Sequence, residues 1–142
     1  MSHFQRYLIT LKRQRNMAKK TLRAQCLEAI QRLVRMKAAN DDGMVNCVSC
    51  NAYLHWKDAQ GGHYIAKGSS SYWALEEENV HPQCVGCNIF GMSRGSAEGQ
   101  YTLWMIDYYG KEFVETMHRD KRKLKKLYAA DYRELLESMK NK

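Results

Sequence analysis

Two pairs of cysteines constrain the fold of this chain more than any other feature of its sequence. Cys47 and Cys50 form one C-x-x-C pair, and Cys84 and Cys87 form a second. Each pair can present two thiolates to one ion, and two pairs complete the closed tetrahedral shell of structural zinc. Because four thiolates leave no open position for a substrate, the pattern predicts a Zn²⁺ that stabilises the fold and does no chemistry. A redox-active C-x-x-C pair is the alternative interpretation.

The number and spacing of the cysteines favour metal binding over disulfides. The 33 residues from 51 to 83 separate the pairs, so a folded segment is expected between them. Cys26, the fifth cysteine, has the spacing of a helical core position, where a thiol acts as a small hydrophobic group. No secretory signal and no apolar run long enough to cross a bilayer is visible, so we expect a soluble cytoplasmic protein.

The charge balance favours a polyanionic partner. The chain of 142 residues carries 23 Lys and Arg against 15 Asp and Glu, a formal net charge of +8. Such an excess gives sequence-independent affinity for nucleic acid, because binding releases counterions from the phosphates. A solvated basic surface without a partner is the plainer interpretation. A membrane surface would need a basic amphipathic helix with aromatic anchors, and we predict no membrane association.

The length predicts one compact domain with three segments. Residues 1–43 are expected to form a basic segment followed by a helix, residues 44–95 a zinc-pinned core, and residues 96–142 basic C-terminal helices.

Local patterns predict the elements within these segments. Thr21 can cap a helix that runs to about Ala39. The other expected elements are a turn at Gly61-Gly62 into a strand at residues 63–65, a short strand at 79–81, a helix beginning at 84–91, helices around 97–109 and 111–118, and one basic amphipathic helix over 119–142.

Polar side chains between and just after the cysteine pairs could carry out phosphodiester hydrolysis. These side chains are His55, Asp58, His63, Asn79, His81 and Asn88. Histidine is the natural general base near neutral pH and can activate a water molecule. A hard cation stabilises the charge that develops on the phosphate and the leaving oxygen, and an Asn carbonyl is a plausible ligand for Mg²⁺.

Two stretches of this sequence resemble a known family. Gly62-His63-Tyr64-Ile65, followed by Glu78-Asn79-Val80-His81-Pro82-Gln83-Cys84-x-x-Cys87-Asn88, resembles the HNH superfamily in its H-N-N form. Together with Cys47-Val48-Ser49-Cys50 and Trp56-x-Asp58-Ala59, these residues are more closely similar to the phage NinG/Rap recombination nucleases. The likeness covers residues 47–118, about half of the chain.

The resemblance implies an α+β fold with a ββα-metal (His-Me finger) core, flanked by N-terminal and C-terminal helices. By the family pattern His63 is the general base, Asn79 supports the orientation of His63, and Asn88 binds the catalytic Mg²⁺ or Mn²⁺ from a helix. Many HNH enzymes carry Asp immediately before the base, whereas this chain has Gly62. Asn88 is therefore expected to be the sole protein ligand of that metal.

Two further polar residues have less certain assignments. Asp58 could contribute to the metal site through a water molecule, although an ordinary surface role is the favoured interpretation. His81 is either a supporting or phosphate-contacting residue or a structural histidine, and the sequence does not favour one over the other.

The resemblance further implies that the chain cuts DNA, with branched recombination intermediates such as Holliday junctions or D-loops as substrates. A homodimer would suit symmetric cutting. The cations expected to contact phosphates are Lys67, Arg94, Lys111, Arg119, Lys121, Arg122, Lys123, Lys125 and Lys126. Three alternatives stay open: a non-catalytic zinc module that binds DNA, an HNH nicking or homing endonuclease directed to a defined sequence, and a protein-interaction domain without salt-dependent affinity for DNA.

Overall fold

The computed structural model describes residues 1–18, 20–140 and 142, and these residues form a mixed α+β fold, as the sequence predicts. The helices are α1 (His3–Ala18), α2 (Leu22–Ala38), α3 (Met92–Arg94), α4 (Ser96–Tyr109), α5 (Lys111–Asp120) and α6 (Ala129–Lys140). The strands are β1 (Met44–Asn46), β2 (Tyr53–His55), β3 (Gln60–His63) and β4 (Val80–Gln83). A 3₁₀ turn (Glu77–Asn79) precedes β4, and a π-helix (Gly86–Gly91) leads into α3.

Helix α2 has the bounds that its sequence pattern predicts. The side chain of Thr21 accepts a hydrogen bond from the backbone N–H of Ala24 (3.1 Å), which satisfies one of the free donors at the start of the helix. The apolar face of α2 is buried, and Cys26 is fully buried within it, which confirms its predicted place in the core.

The four strands form two antiparallel hairpins, β1 with β2 and β3 with β4. In the second hairpin His63 lies opposite Val80, and Gly62 lies opposite His81. The prediction of a turn at Gly61 and Gly62 is wrong, because both residues lie inside β3. A Cβ atom at Gly61 would lie 2.6 Å from the backbone of Gln31 in α2, so glycine serves here to bring the strand against the helix.

Two apolar clusters flank the β3–β4 hairpin. One joins the segment after β3 to α4 and α5 through Tyr64, Trp73, Tyr101 and Met117, among others. The other joins α2, β4 and α6 and includes Cys26, Ile30, Val80 and Met139. Residues from all three predicted segments therefore share buried clusters, while the boundaries after residues 43 and 95 stay a prediction.

The two ends of the chain differ from the expectation. All side chains from His3 to Arg15 in α1 are exposed. Because no face of this helix is buried, its sequence does not show the apolar spacing that predicts a helix. The prediction of one helix over 119–142 is wrong, because α5 ends at Asp120 and α6 begins only at Ala129. Like charges repel along a helix at the intervening cation cluster. Moreover, the Lys125 N–H donates instead to Ser71 Oγ (3.0 Å).

Among the described residues, none of the helices combines the length and the apolar character needed to span a bilayer.

Candidate metal centre and nucleic-acid cleft

The four cysteines of the two C-x-x-C pairs come together in space. The sulfur atoms of Cys47, Cys50, Cys84 and Cys87 all lie within 4.8 Å of one another, and the Sγ atoms of Cys50 and Cys84 are 3.7 Å apart. A zinc ion about 2.3 Å from each sulfur of a tetrahedron requires sulfur atoms roughly 3.8 Å apart. The cluster therefore fits the predicted zinc ion, and all four of its donors are thiols.

The first cysteine pair is anchored to β4 and to α4 by the two residues between its cysteines. The Val48 N–H donates to the carbonyl oxygen of Pro82 (3.0 Å). The buried Ser49 hydroxyl donates to the Ala97 carbonyl (2.9 Å) and accepts from Gln83 Nε2 (2.9 Å). A metal held by the cysteines would thereby fix the end of β4 and the start of the π-helix.

One cleft of about 700 Å³ is lined by two of the three residues that the sequence assigns to hydrolysis, His63 and Asn88. His63 lies at the end of β3, and Asn88 lies in the π-helix directly after Cys87. The wall also includes Lys67, Glu98, His118, Lys121 and Arg122. The cleft therefore brings a histidine, an amide and several cations to one surface.

A backbone carbonyl fixes the ring of His63. Its Nε2 atom lies 2.8 Å from the carbonyl oxygen of Ala74. A carbonyl oxygen can only accept, so Nε2 carries the proton and Nδ1 holds the free lone pair of the neutral ring. Burial lowers the pKa of His63, and the positive charges of Lys67 and Arg23 lower it further, against the opposing effect of the Ala74 hydrogen bond. The ring is therefore favoured in its neutral, basic form.

The amide of Asn88 is oriented by a residue that the sequence reasoning missed. Asn88 Nδ2 donates to Gln60 Oε1 at 2.7 Å, and this bond leaves Asn88 Oδ1 available as an oxygen ligand. Gln60 carries no motif signal, because its role depends on a partner 28 residues away in the chain.

Asn79 is fully buried and does not hydrogen-bond to His63 itself. Its Nδ2 donates to the carbonyls of Ile65 (2.9 Å) and Trp73 (3.1 Å), and its Oδ1 accepts from the Ile65 N–H (2.8 Å). These bonds close the loop between β3 and β4 next to Ala74, whose carbonyl holds His63. Any support that Asn79 gives to the orientation of His63 would therefore act through the loop backbone.

Gly62, where many HNH enzymes carry Asp, has no room for a side chain while Gln83 keeps its position. A Cβ atom at Gly62 would clash with the side chain of the fully buried Gln83. Gln83 Oε1 has no hydrogen-bond partner within the part of the chain that the structure describes. The other candidate for the metal site, Asp58, is exposed in the turn before β3 and does not line the cleft.

His81 lines a different cavity, of about 540 Å³, beside α4 and α2. Its ring packs against Trp104 with 4.6 Å between the ring centroids. Its Nδ1 lies 3.0 Å from the Tyr101 hydroxyl, and its Nε2 lies 2.9 Å from the Tyr109 hydroxyl. Burial lowers the pKa of His81 to about 4. These surroundings suit a neutral structural histidine rather than a residue that contacts phosphate.

The cations predicted to bind DNA divide between the cleft and other surfaces. Those that line the cleft are Lys67, Lys121 and Arg122. The others are exposed outside its lining: Arg94, Lys111, Arg119, Lys123, Lys125 and Lys126. Of these, Lys123 pairs with Asp120 (3.0 Å) and Lys125 pairs with Glu76 (2.8 Å). Three of the nine predicted cations therefore line the cleft, and phosphate contacts by any of the nine stay a prediction.

A comparison with known protein families finds a match for this chain. The model of a protein family described as bacteriophage lambda NinG protein matches residues 5–142, which is nearly the whole chain. No curated protein and no solved structure matches the chain.

Proposed function

Because the chain belongs to the bacteriophage lambda NinG protein family, we propose that it is a metal-dependent endonuclease of the HNH type that hydrolyses DNA phosphodiesters. Its expected substrates are branched recombination intermediates such as Holliday junctions or D-loops. The observation that carries this proposal is the shared cleft of His63 and Asn88. Two antiparallel strands followed by a helix that carries Asn88 are consistent with a ββα-metal core.

His63 is the proposed general base. Its Nε2–H is committed to the Ala74 carbonyl, so the lone pair of Nδ1 is free to take a proton from water. The water oxygen then forms a bond to phosphorus, and the bond from phosphorus to the leaving sugar oxygen breaks. The lowered pKa of His63 favours the neutral ring that this step requires.

Asn88 is the proposed protein ligand of a catalytic Mg²⁺ or Mn²⁺. The metal, when bound, stabilises negative charge on the phosphate and on the leaving oxygen. Gln60 holds the Asn88 amide so that its carbonyl oxygen stays available. Gly62 supplies no carboxylate at this position, and a Cβ atom there would require the buried side chain of Gln83 to shift. Asn88 is therefore proposed as the sole protein ligand, as Mg²⁺ commonly binds few protein groups.

The basic residues of the cleft support nucleic acid as the substrate. Lys67, Lys121 and Arg122 can contact phosphates, and such contacts position a strand without reading its bases. The formal net charge of +8 adds sequence-independent affinity. We therefore expect the enzyme to select DNA by branch structure rather than by sequence.

A panel of substrates tests the proposal. Four-way junctions, flaps and linear duplexes of one sequence are incubated with wild-type protein in Mg²⁺ or Mn²⁺. We expect preferential cutting of the branched substrates. The His63→Ala variant should cut more slowly by roughly 10²–10⁴-fold while it retains DNA binding. His3→Ala, at an exposed position on α1, is the matched control and should cut like the wild type.

The other results of the panel identify the alternatives. Binding of junctions without cutting in either metal would favour a non-catalytic zinc module. Cutting of linear duplex at one defined sequence would favour a nicking or homing enzyme. Full cutting activity in His63→Ala would refute the assigned base.

A further inference from the structure

His118 lies on the wall of the same cleft as His63, although the sequence gives it no motif signal. It occupies the last turn of α5, where the helix dipole favours a positive charge. Its ring packs edge-on against Tyr64, with ring centroids 5.5 Å apart and an interplanar angle of 81°. His118 Nε2 lies 2.9 Å from the Tyr64 hydroxyl. The imidazole is therefore held in one orientation, although the residue is exposed.

A chain of hydrogen bonds determines which nitrogen of His118 keeps its bonding capacity free. The Thr102 hydroxyl donates to the Glu98 carbonyl (3.0 Å), so Thr102 Oγ1 accepts from the Tyr64 hydroxyl (2.7 Å). Tyr64 has a single proton, and this bond uses it. Burial raises the pKa of Tyr64, which keeps that proton in place. His118 Nε2 must therefore donate to the Tyr64 oxygen, and Nδ1 is left open.

Protonation of His118 at Nδ1 adds a donor and a positive charge without breaking the bond to Tyr64. The titratable and charged groups that face this part of the cleft are Tyr64, Glu98, Lys121 and Arg122 nearby, and His63 and Lys67 elsewhere on its wall. Cations outnumber the one carboxylate in this set, as is typical of a phosphate site.

We propose that His118 is a phosphate-binding residue, and that its protonated Nδ1–H donates to a DNA phosphate oxygen beside Lys121 and Arg122. The proposal rests on the proposed function only in that a DNA strand enters the cleft. This contact requires a proton on Nδ1, because the neutral ring derived above has only a lone pair there. DNA binding should therefore strengthen as the pH falls from 8 to 6.

The test measures binding without cutting. A fluorescein-labelled four-way DNA junction is titrated with zinc-replete protein in the absence of added magnesium, at pH 6 and pH 8 and over a series of KCl concentrations. Wild-type protein should bind roughly tenfold more tightly at pH 6, as expected for one charge-assisted hydrogen bond. His118→Gln retains a donor for Tyr64 but cannot titrate, so it should lose this gain. At pH 6 the slope of log affinity against log salt should be shallower by about 0.9 in this variant.

Two further variants complete the test. His118→Lys carries a permanent charge and should bind equally at pH 6 and pH 8, whereas His3→Gln should retain the wild-type pH dependence. The same pH dependence and salt slope in His118→Gln as in wild type would overturn the inference. Cleavage of the junction in Mg²⁺ tests the nuclease separately. Junction binding with the expected pH dependence but without cleavage would contradict the proposed nuclease activity and support the phosphate site.

Discussion

The neutral state of His81 makes a measurable prediction about stability against pH. The Tyr101 hydroxyl donates to the Gly62 carbonyl (2.8 Å), so His81 Nδ1–H must donate to the Tyr101 oxygen. His81 Nε2 then accepts from the Tyr109 hydroxyl. The neutral ring thus satisfies both of its nitrogens, and adding a proton at Nε2 would place a charge in a largely buried site and break the bond that Nε2 accepts from Tyr109.

The size of the stability loss follows from the lowered pKa of His81. Burial lowers the pKa of His81 to about 4 in the folded protein, against an unperturbed value of about 6.5 in the unfolded chain. Between these values the unfolded state binds a proton that the folded state does not. The contribution of His81 to stability is therefore complete above about pH 6.5 and is lost as the pH falls towards 4. The loss from this group is about 2 kcal/mol between pH 7.5 and pH 5, and about 3 kcal/mol below pH 4.

Urea unfolding at pH 7.5 and pH 5, with zinc in excess, measures this loss. Other groups add to it in the wild type, since the half-buried His63 also has a lowered pKa. The quantity to compare is therefore the change in the free energy of unfolding between pH 7.5 and pH 5, measured in wild type and in His81→Gln. The variant should lose about 2 kcal/mol less than the wild type, and the exposed His3→Gln control should match the wild type. An equal loss in His81→Gln and wild type would refute the neutral, buried state of His81.

Three other predictions concern the cleft and the zinc site. Cys47→Ser should lose most of the bound zinc and the cooperative unfolding transition, as measured by metal analysis and circular dichroism, because binding of a structural metal contributes directly to folding; a stable, zinc-free variant would contradict the structural role. Gln60→Ala frees the amide of Asn88 and should raise the Mg²⁺ concentration for half-maximal cleavage by roughly 10–100-fold, and an unchanged requirement would exclude this positioning role. Arg23→Gln removes a charge that lowers the pKa of His63, so the acidic limb of the pH–kcat/KM profile should move to higher pH; a shift to lower pH would contradict the electrostatic argument.

The features that the sequence predicted correctly are those encoded by neighbours in the chain. The cap at Thr21 and the apolar period of α2 lie within one helix, so local rules were enough to find it. The C-x-x-C spacing likewise predicts two thiolates for one metal, and the fold brings the two cysteine pairs together. The short strand that begins at Val80 also follows from its local pattern.

The features that the sequence did not reveal depend on partners far along the chain. Gln60 acquires its role from Asn88, 28 residues away, and His118 from Tyr64, 54 residues away. No short motif encodes such pairs. Gly61 suits a turn by local rules, yet its function is to let a strand approach a helix, which only the packing of α2 shows.

The two halves of the proposed active site are held by different supports. The ring of His63 depends on the Ala74 carbonyl, and the loop that carries this carbonyl is closed by the buried amide of Asn79. Asn88 instead follows Cys87 directly, and its backbone N–H donates to the Cys84 carbonyl (3.0 Å), so its position depends on the cysteine cluster. The β3–β4 ladder joins these supports, because one of its strands ends at His63 and the other ends one residue before Cys84. A structural metal in the cysteine cluster would thereby set the distance between the proposed base and the proposed metal ligand, because it would fix the chain that carries Asn88.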